Sequence, residues 1–140
     1  MSTGIFLVLL SLIASDGPSS QLEIRFSNLE ANSIGKNIYI GIWHDKDGEF
    51  PNGLEADIPI MRRIESTDFS FQTQLSRREY AVSVFVDLNG NGRLDTNLFG
   101  IPEEPYGFYR DYRPTLSAPD FGDCSFFLDE DKQIKLTLIQ

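Results

Sequence analysis

An all-β fold, a single antiparallel β-sandwich of about seven strands with an Ig-like or transthyretin-like arrangement, is predicted by three features of this 140-residue chain. Apolar residues recur at every second position in short runs, and Gly, Pro, Asn and Asp punctuate the intervals. No segment places apolar residues at i, i+3, i+4 and i+7 over the length of a helix. With 41% hydrophobic residues the chain suits one domain and can bury a core without covalent staples. Cys124 is the single cysteine, so an intramolecular disulfide is impossible and packing must hold the fold.

The first fifteen residues, MSTGIFLVLLSLIAS, contain no charged side chain. Their apolar run from Gly4 to Ala14 is too short to cross a bilayer and suits the central region of a secretory signal. The expected layout is a signal peptide over 1–15, a short linker over 16–21 and the sandwich over 22–140. The mature protein is then periplasmic or extracellular, with no stable membrane span. A buried N-terminal strand or an uncleaved anchor is the alternative reading.

Strand by strand, the period-two pattern begins with Leu22, Ile24 and Phe26, which alternate with Gln21, Glu23 and Arg25. Ile38, Ile40 and Ile42 follow on one face, with Tyr39, Gly41 and Trp43 on the other. The shorter run from Ile58 to Ile64 contains Pro59, which lacks a ladder donor and so fits an edge. Phe69 and Phe71 mark a fourth strand, and Tyr80, Val82, Val84 and Val86 the most apolar one. Phe126 with Leu128, then Ile134, Leu136 and Leu138, complete the set. Tyr80 comes just after the turn-like LSRRE, a placement similar to a tyrosine corner and equally compatible with an ordinary core tyrosine. Cys124, within DCSFF, reads as a small buried side chain instead of a reactive thiol.

Twenty-one acids against twelve bases give a net charge of -9. Basic residues come at most in pairs, as Arg62-Arg63 and Arg77-Arg78, so a counterion-displacing nucleic-acid face is not expected. Cations are the favoured ligands. A protein zinc site of nitrogen and sulfur ligands is nearly excluded by the single His44 and single Cys124. A Ser-His-Asp triad would rest on His44 alone, and no G-x-S-x-G elbow accompanies it.

The most informative stretch is DLNGNGRLDTN, residues 87–97, at the head of a long connection spanning 87–122. Counting Asp87 as position one puts Asn89, Asn91 and Asp95 at three, five and nine, with Gly92 at six. Such spacing is that of a calcium loop, in which short oxygen-bearing side chains converge on a hard cation and glycine allows the sharp turn. Arg93 would offer its carbonyl at seven, and Leu94 would anchor the loop. Leu98 stands at twelve where a bidentate glutamate is expected, so further oxygens must come from Glu103, Glu104, Asp45, Asp47 or water. The competing account is an Asx-rich turn whose side chains bond their own backbone. A phosphate cradle is disfavoured because Asp95 replaces the third glycine and two carboxylates would repel the anion.

A second acidic stretch, His44-Asp45-Lys46-Asp47-Gly48-Glu49, reads more readily as a solvated turn, because its glycine comes too early. Downstream, Phe99, Tyr106, Phe108, Tyr109 and Tyr112 either form a satellite core under the loop or a platform for a sugar or peptide.

The segment YAVSVFVDLNGNGRLDTNLFGIPEEPYGF, residues 80–108, resembles the bacterial family called domain of unknown function 2141, small exported proteins of β-sandwich fold. The likeness continues through Pro119-Asp-Phe121-Gly-Asp123-Cys-Ser-Phe126, and the family spans Leu22 to Leu138, with the earlier strands matching in pattern alone. It implies a fold and an export route and no enzyme activity. Asp87, Asn89, Asn91, Asp95 and Glu104 fall on its motif positions, which favours Glu104 over Glu103 as the remote ligand. Cys124 stands where a small alanine is common, and Tyr109-Arg110 replaces the usual Ser-Asn.

The functional expectation is therefore a non-catalytic binding or structural module with a calcium-stabilised loop (Asp87, Asn89, Asn91, Arg93, Asp95, Glu104), recognising an extracellular or periplasmic protein or glycan. A hydrolase pairing Asp95 with Glu103 or Glu104 and a self-assembling cell-surface subunit are the alternatives.

Overall fold

The computed structural model describes residues 17–44, 48–51, 56–114 and 117–140, so the expected signal peptide and the candidate suppliers Asp45 and Asp47 lie outside the described residues. Among the described residues eight strands form: β1 (Ser19–Ser27), β2 (Asn37–Trp43), β3 (Ile58–Arg63), β4 (Ser70–Ser76), β5 (Glu79–Asp87), β6 (Tyr106–Phe108), β7 (Ser125–Phe127) and β8 (Lys132–Thr137). They make two facing sheets, one of order β4-β1-β8 and one of order β3-β2-β5-β6, with β7 also paired to β5. The all-β sandwich is as expected. β1 begins already at Ser19, inside the stretch read as linker.

Alternation explains why the sheets face each other. Leu22 and Ile24 of β1, Ile38, Ile40 and Ile42 of β2, and Val82 and Val86 of β5 are almost fully withdrawn from water. They meet Leu136 of β8 in one core. Each such side chain contributes about 1.5–3 kcal/mol on burial, which is what offsets the ordering of the chain. β3 lies on an edge, paired only with β2, where Pro59 removes no needed donor.

Two details depart from the sequence reading. The pairing of β1 with β8 is parallel, with Ile24 opposite Ile134. These strands are neighbours in space but more than a hundred residues apart in sequence, so no short turn forces them antiparallel. The connection over 87–122 is also less irregular than expected. It contains β6, a short 3-10 turn at Tyr109–Asp111 and a one-turn helix α1 (Phe121–Cys124).

β6 closes the sandwich on one side. Its Tyr106 exchanges backbone hydrogen bonds with Ile139, at 3.1 and 2.7 Å, just beyond β8. The approach leaves no space at Gly107, where a Cβ would fall 2.7 Å from Leu136 Cδ2 and 2.8 Å from the Thr137 carbonyl oxygen.

Tyr80 is a tyrosine corner in fact. Its buried hydroxyl donates to the Ser76 carbonyl at 2.8 Å, pinning the β4–β5 connection.

On the outer face of the larger sheet a second cluster gathers Trp43, Ala81, Phe121 and Cys124, with Phe50, Phe108 and Tyr112 against it. Tyr109 instead packs on the main core, its ring 5.0 Å from Phe126. The satellite-core reading of the loop aromatics therefore holds for Phe108 and Tyr112. Burial, aided by the charge of neighbouring Asp123, pushes the Cys124 thiol up to about 12, as befits an inert packed side chain.

Candidate functional site

The loop that follows β5 is built around Asp87, a polar residue only 2% exposed. One of its carboxylate oxygens accepts the Gly90 N–H at 3.0 Å and the other the Gly92 N–H at 2.8 Å. Both glycines sit in the left-handed region, at φ 77° and 75°. A residue with a side chain at Gly92 would be strained there, which is why the sequence places glycine at the sharpest point of the turn.

Two nested Asx turns continue the wrap. Asn89 Oδ1 accepts the Asn91 N–H at 3.2 Å, and Asn91 Oδ1 accepts the Arg93 N–H at 3.0 Å. The amide groups of both asparagines then donate to one carboxylate, that of Asp95, Asn91 doing so to both oxygens at 2.8 and 2.9 Å. These contacts, the Asn91 bond first, hold the Asp95 carboxyl below the usual aspartate range. The sequence-predicted residues Asn89, Asn91 and Asp95 are thus brought together, with Asp87 beneath them.

Glu104 has a different place from the one foreseen. It is buried, and each oxygen is taken by a backbone amide: Oε2 accepts from Leu88 at 2.6 Å and Oε1 from Asp95 at 3.0 Å. A single carboxylate therefore ties the two ends of the acidic turn together. Glu103 is exposed and joins the same region through its backbone, its N–H donating to the Asp95 carbonyl at 2.8 Å. Arg93 is exposed. The apolar anchor is Leu88, packed on the main core, in place of the expected Leu94, which is half-buried.

Chemically the turn offers carboxylate and amide oxygens, with the Asn89 and Asn91 amide N–H groups facing Asp95. An amide or carboxylate oxygen that accepts one hydrogen bond keeps a second lone pair, so both oxygens of Asp87, the Oδ1 of Asn89 and Asn91 and the Oδ1 of Asp95 retain acceptor capacity, whereas Asp95 Oδ2 already accepts from both asparagines. Among the described residues no three His, Cys, Asp or Glu side chains group closely enough to hold a metal by themselves. Any cation shell here must draw on amide oxygens, carbonyls and water, which suits calcium better than zinc. His44 is engaged elsewhere: its N–H donates to Asp57 at 2.8 Å, and its ring meets Tyr80 edge-on.

Past Asp95 the chain forms a narrow hairpin-like projection, with Thr96 bridged to Pro102. Phe99, expected with the other loop aromatics in a satellite core or a ligand platform, stands exposed on this projection and does not join the satellite core. The projection's signal is the uncharged run NLFGIP, which would have read as core had its neighbours alternated.

The family described as "Uncharacterized protein conserved in bacteria (DUF2141)" matches residues 24–136. No curated protein and no solved structure matches the chain.

Proposed function

We propose, from the premise that this chain belongs to the bacterial DUF2141 family, that it is an exported, non-catalytic β-sandwich module whose turn at 87–95 takes up calcium. The observation that carries the reading is the convergence of Asn89, Asn91 and Asp95 above a buried Asp87, on a backbone already curved by Gly90 and Gly92. An ion would meet Asp95, Asp87 and the two asparagine oxygens, with the Arg93 carbonyl as a further donor. Glu104 would act from outside, by fixing the turn's two ends. The charge it would neutralise is real: two carboxylates share the turn with one arginine.

With few carboxylates in its shell the site belongs in the weak, millimolar range that suits modules outside the cell. A rigid loop on a rigid sandwich is a recognition surface, and the class of partner is a protein or glycan of the cell exterior. The hydrolytic reading has less support, because both oxygens of Glu104 are committed to backbone amides and Asp95 is held in its charged form.

Thermal unfolding with and without calcium tests this. A free calcium concentration ten times the dissociation constant adds about 1.4 kcal/mol, which raises the melting temperature of a domain this size by about 4–6 °C. Asp95→Asn removes the carboxylate charge, and one of its two acceptor oxygens, and should lose that rise. A melting temperature indifferent to calcium up to tens of millimolar would leave a self-contained Asx turn.

A further inference from the structure

The same loop ends in an apolar tip, and we propose that Leu98, Phe99 and Ile101 form a finger that inserts into the interface of a zwitterionic phospholipid bilayer. Leu98 is 101% exposed, Phe99 87% and Ile101 58%. Large apolar side chains held this far into water are unusual unless they meet something. The stretch from Thr96 to Pro102 carries no charge.

Within the tip, the N–H groups of Asn97, Phe99, Gly100 and Ile101 are met internally, and that of Leu98 is not. Asn97 Oδ1 accepts the N–H of Phe99 at 2.8 Å and of Ile101 at 3.1 Å. The Gly100 N–H donates to the Asn97 carbonyl at 3.0 Å, and the Asn97 N–H to the Ile101 carbonyl at 2.8 Å. Pro102 has no N–H to satisfy. Water would serve these exposed amides equally well, so internal partners add little there. In a bilayer each unpartnered amide is costly, and a turn that meets most of its own N–H groups loses less on entering the interface.

Area, shape and charge favour lipid over a second protein. A stable protein pair buries about 800 Å² on each partner, far beyond what three side chains on a narrow turn present. A convex tip needs a shaped pocket in a protein but none in a fluid interface. Asp95 and Glu103 flank the finger and the chain carries a net charge of -9, so anionic lipid repels it while zwitterionic lipid does not. The finger is fastened by Asn97 and not by an ion, so the inference goes beyond the calcium reading and does not depend on it.

The test uses the full chain carrying Phe99→Trp, with phosphatidylcholine vesicles at millimolar lipid, in EDTA and again in calcium. Trp43 is buried and serves as the silent background in wild type. Expected are a blue shift of the added emission and its quenching by brominated phosphatidylcholine, already in EDTA. Adding Leu98→Ser should lower the partition coefficient about tenfold. Absence of shift and quenching in EDTA overturns the proposal, as does an unchanged coefficient in the Leu98→Ser background. This readout follows the tip itself, whatever else in the chain touches the vesicle. A calcium-dependent melting temperature without tip insertion would sink this inference and leave the calcium reading standing. Insertion without any calcium response would do the reverse.

Discussion

The sandwich core and the 87–104 loop are joined at Asp87 yet are held by opposite means. In the core, Ile40 and its neighbours gain stability from leaving water, a force without direction that tolerates modest repacking. In the loop, apolar burial is slight and stability comes from directed bonds, most of them donated by backbone amides to a few Asx and Glu side chains. A directed network fixes shape with little apolar surface, which leaves the loop free to present Leu98 and Phe99 to solvent. The cost is that each bond depends on one atom. Losing a core methyl weakens the whole domain, whereas losing a loop carboxylate should loosen the loop and spare the sheets.

Substitutions can break that contrast. Ile40→Ala should produce the largest effect, a loss of about 2–5 kcal/mol in denaturant unfolding, with every spectroscopic probe shifting together. Glu104→Ala strands the amides of Leu88 and Asp95 and should cost about 2–3 kcal/mol. Hydrogen exchange would locate much of that loss: faster exchange at 88–95 with β2 and β5 protected would uphold the distinction, and uniform acceleration would erase it. Tyr80→Phe removes the hydroxyl bond to Ser76 and should cost about 1 kcal/mol, read as a shift in denaturant midpoint.

The smallest effect is that of acid. The Asp95 pKa is lowered in the folded chain, so its contribution is complete above the ordinary aspartate pKa and disappears as pH falls through the lower folded value. Amide exchange near Asn89 and Asn91 should therefore quicken only in that acidic window, well before the sheets open. A loosening at neutral pH would mean that the Asn–Asp95 contacts are not what holds the turn.

The same contrast explains what could be read from the sequence. Core strands announce themselves because burial acts on every second residue, and β1, β2, β5 and β8 follow that rule. β6 hides because its inward position must be Gly107, crowded by Leu136 and Thr137, while Tyr106 and Phe108 point outward. An alternation of aromatic, glycine, aromatic looks like a loop. The turn at 87–95 was legible from spacing, since positions one, three, five and nine are set by how a curved backbone directs its side chains. The task of Glu104 was not legible, because its partners are backbone amides and any residue can supply those. Nor does a sequence record whether an apolar run such as Leu98–Ile101 turns inward or stands out, which depends on the stalk beneath it.

The central claim, that the acidic turn is preformed by its own bonds and takes up calcium without reshaping the sandwich, is tested most directly by following backbone amides in a calcium titration. Saturable shifts are expected at Gly90, Gly92 and Asp95 within the millimolar range, with the amides of β1, β2 and β8 unmoved. Resonances of the turn that stay fixed throughout the titration, or that are broadened into disorder before any calcium is added, would contradict it.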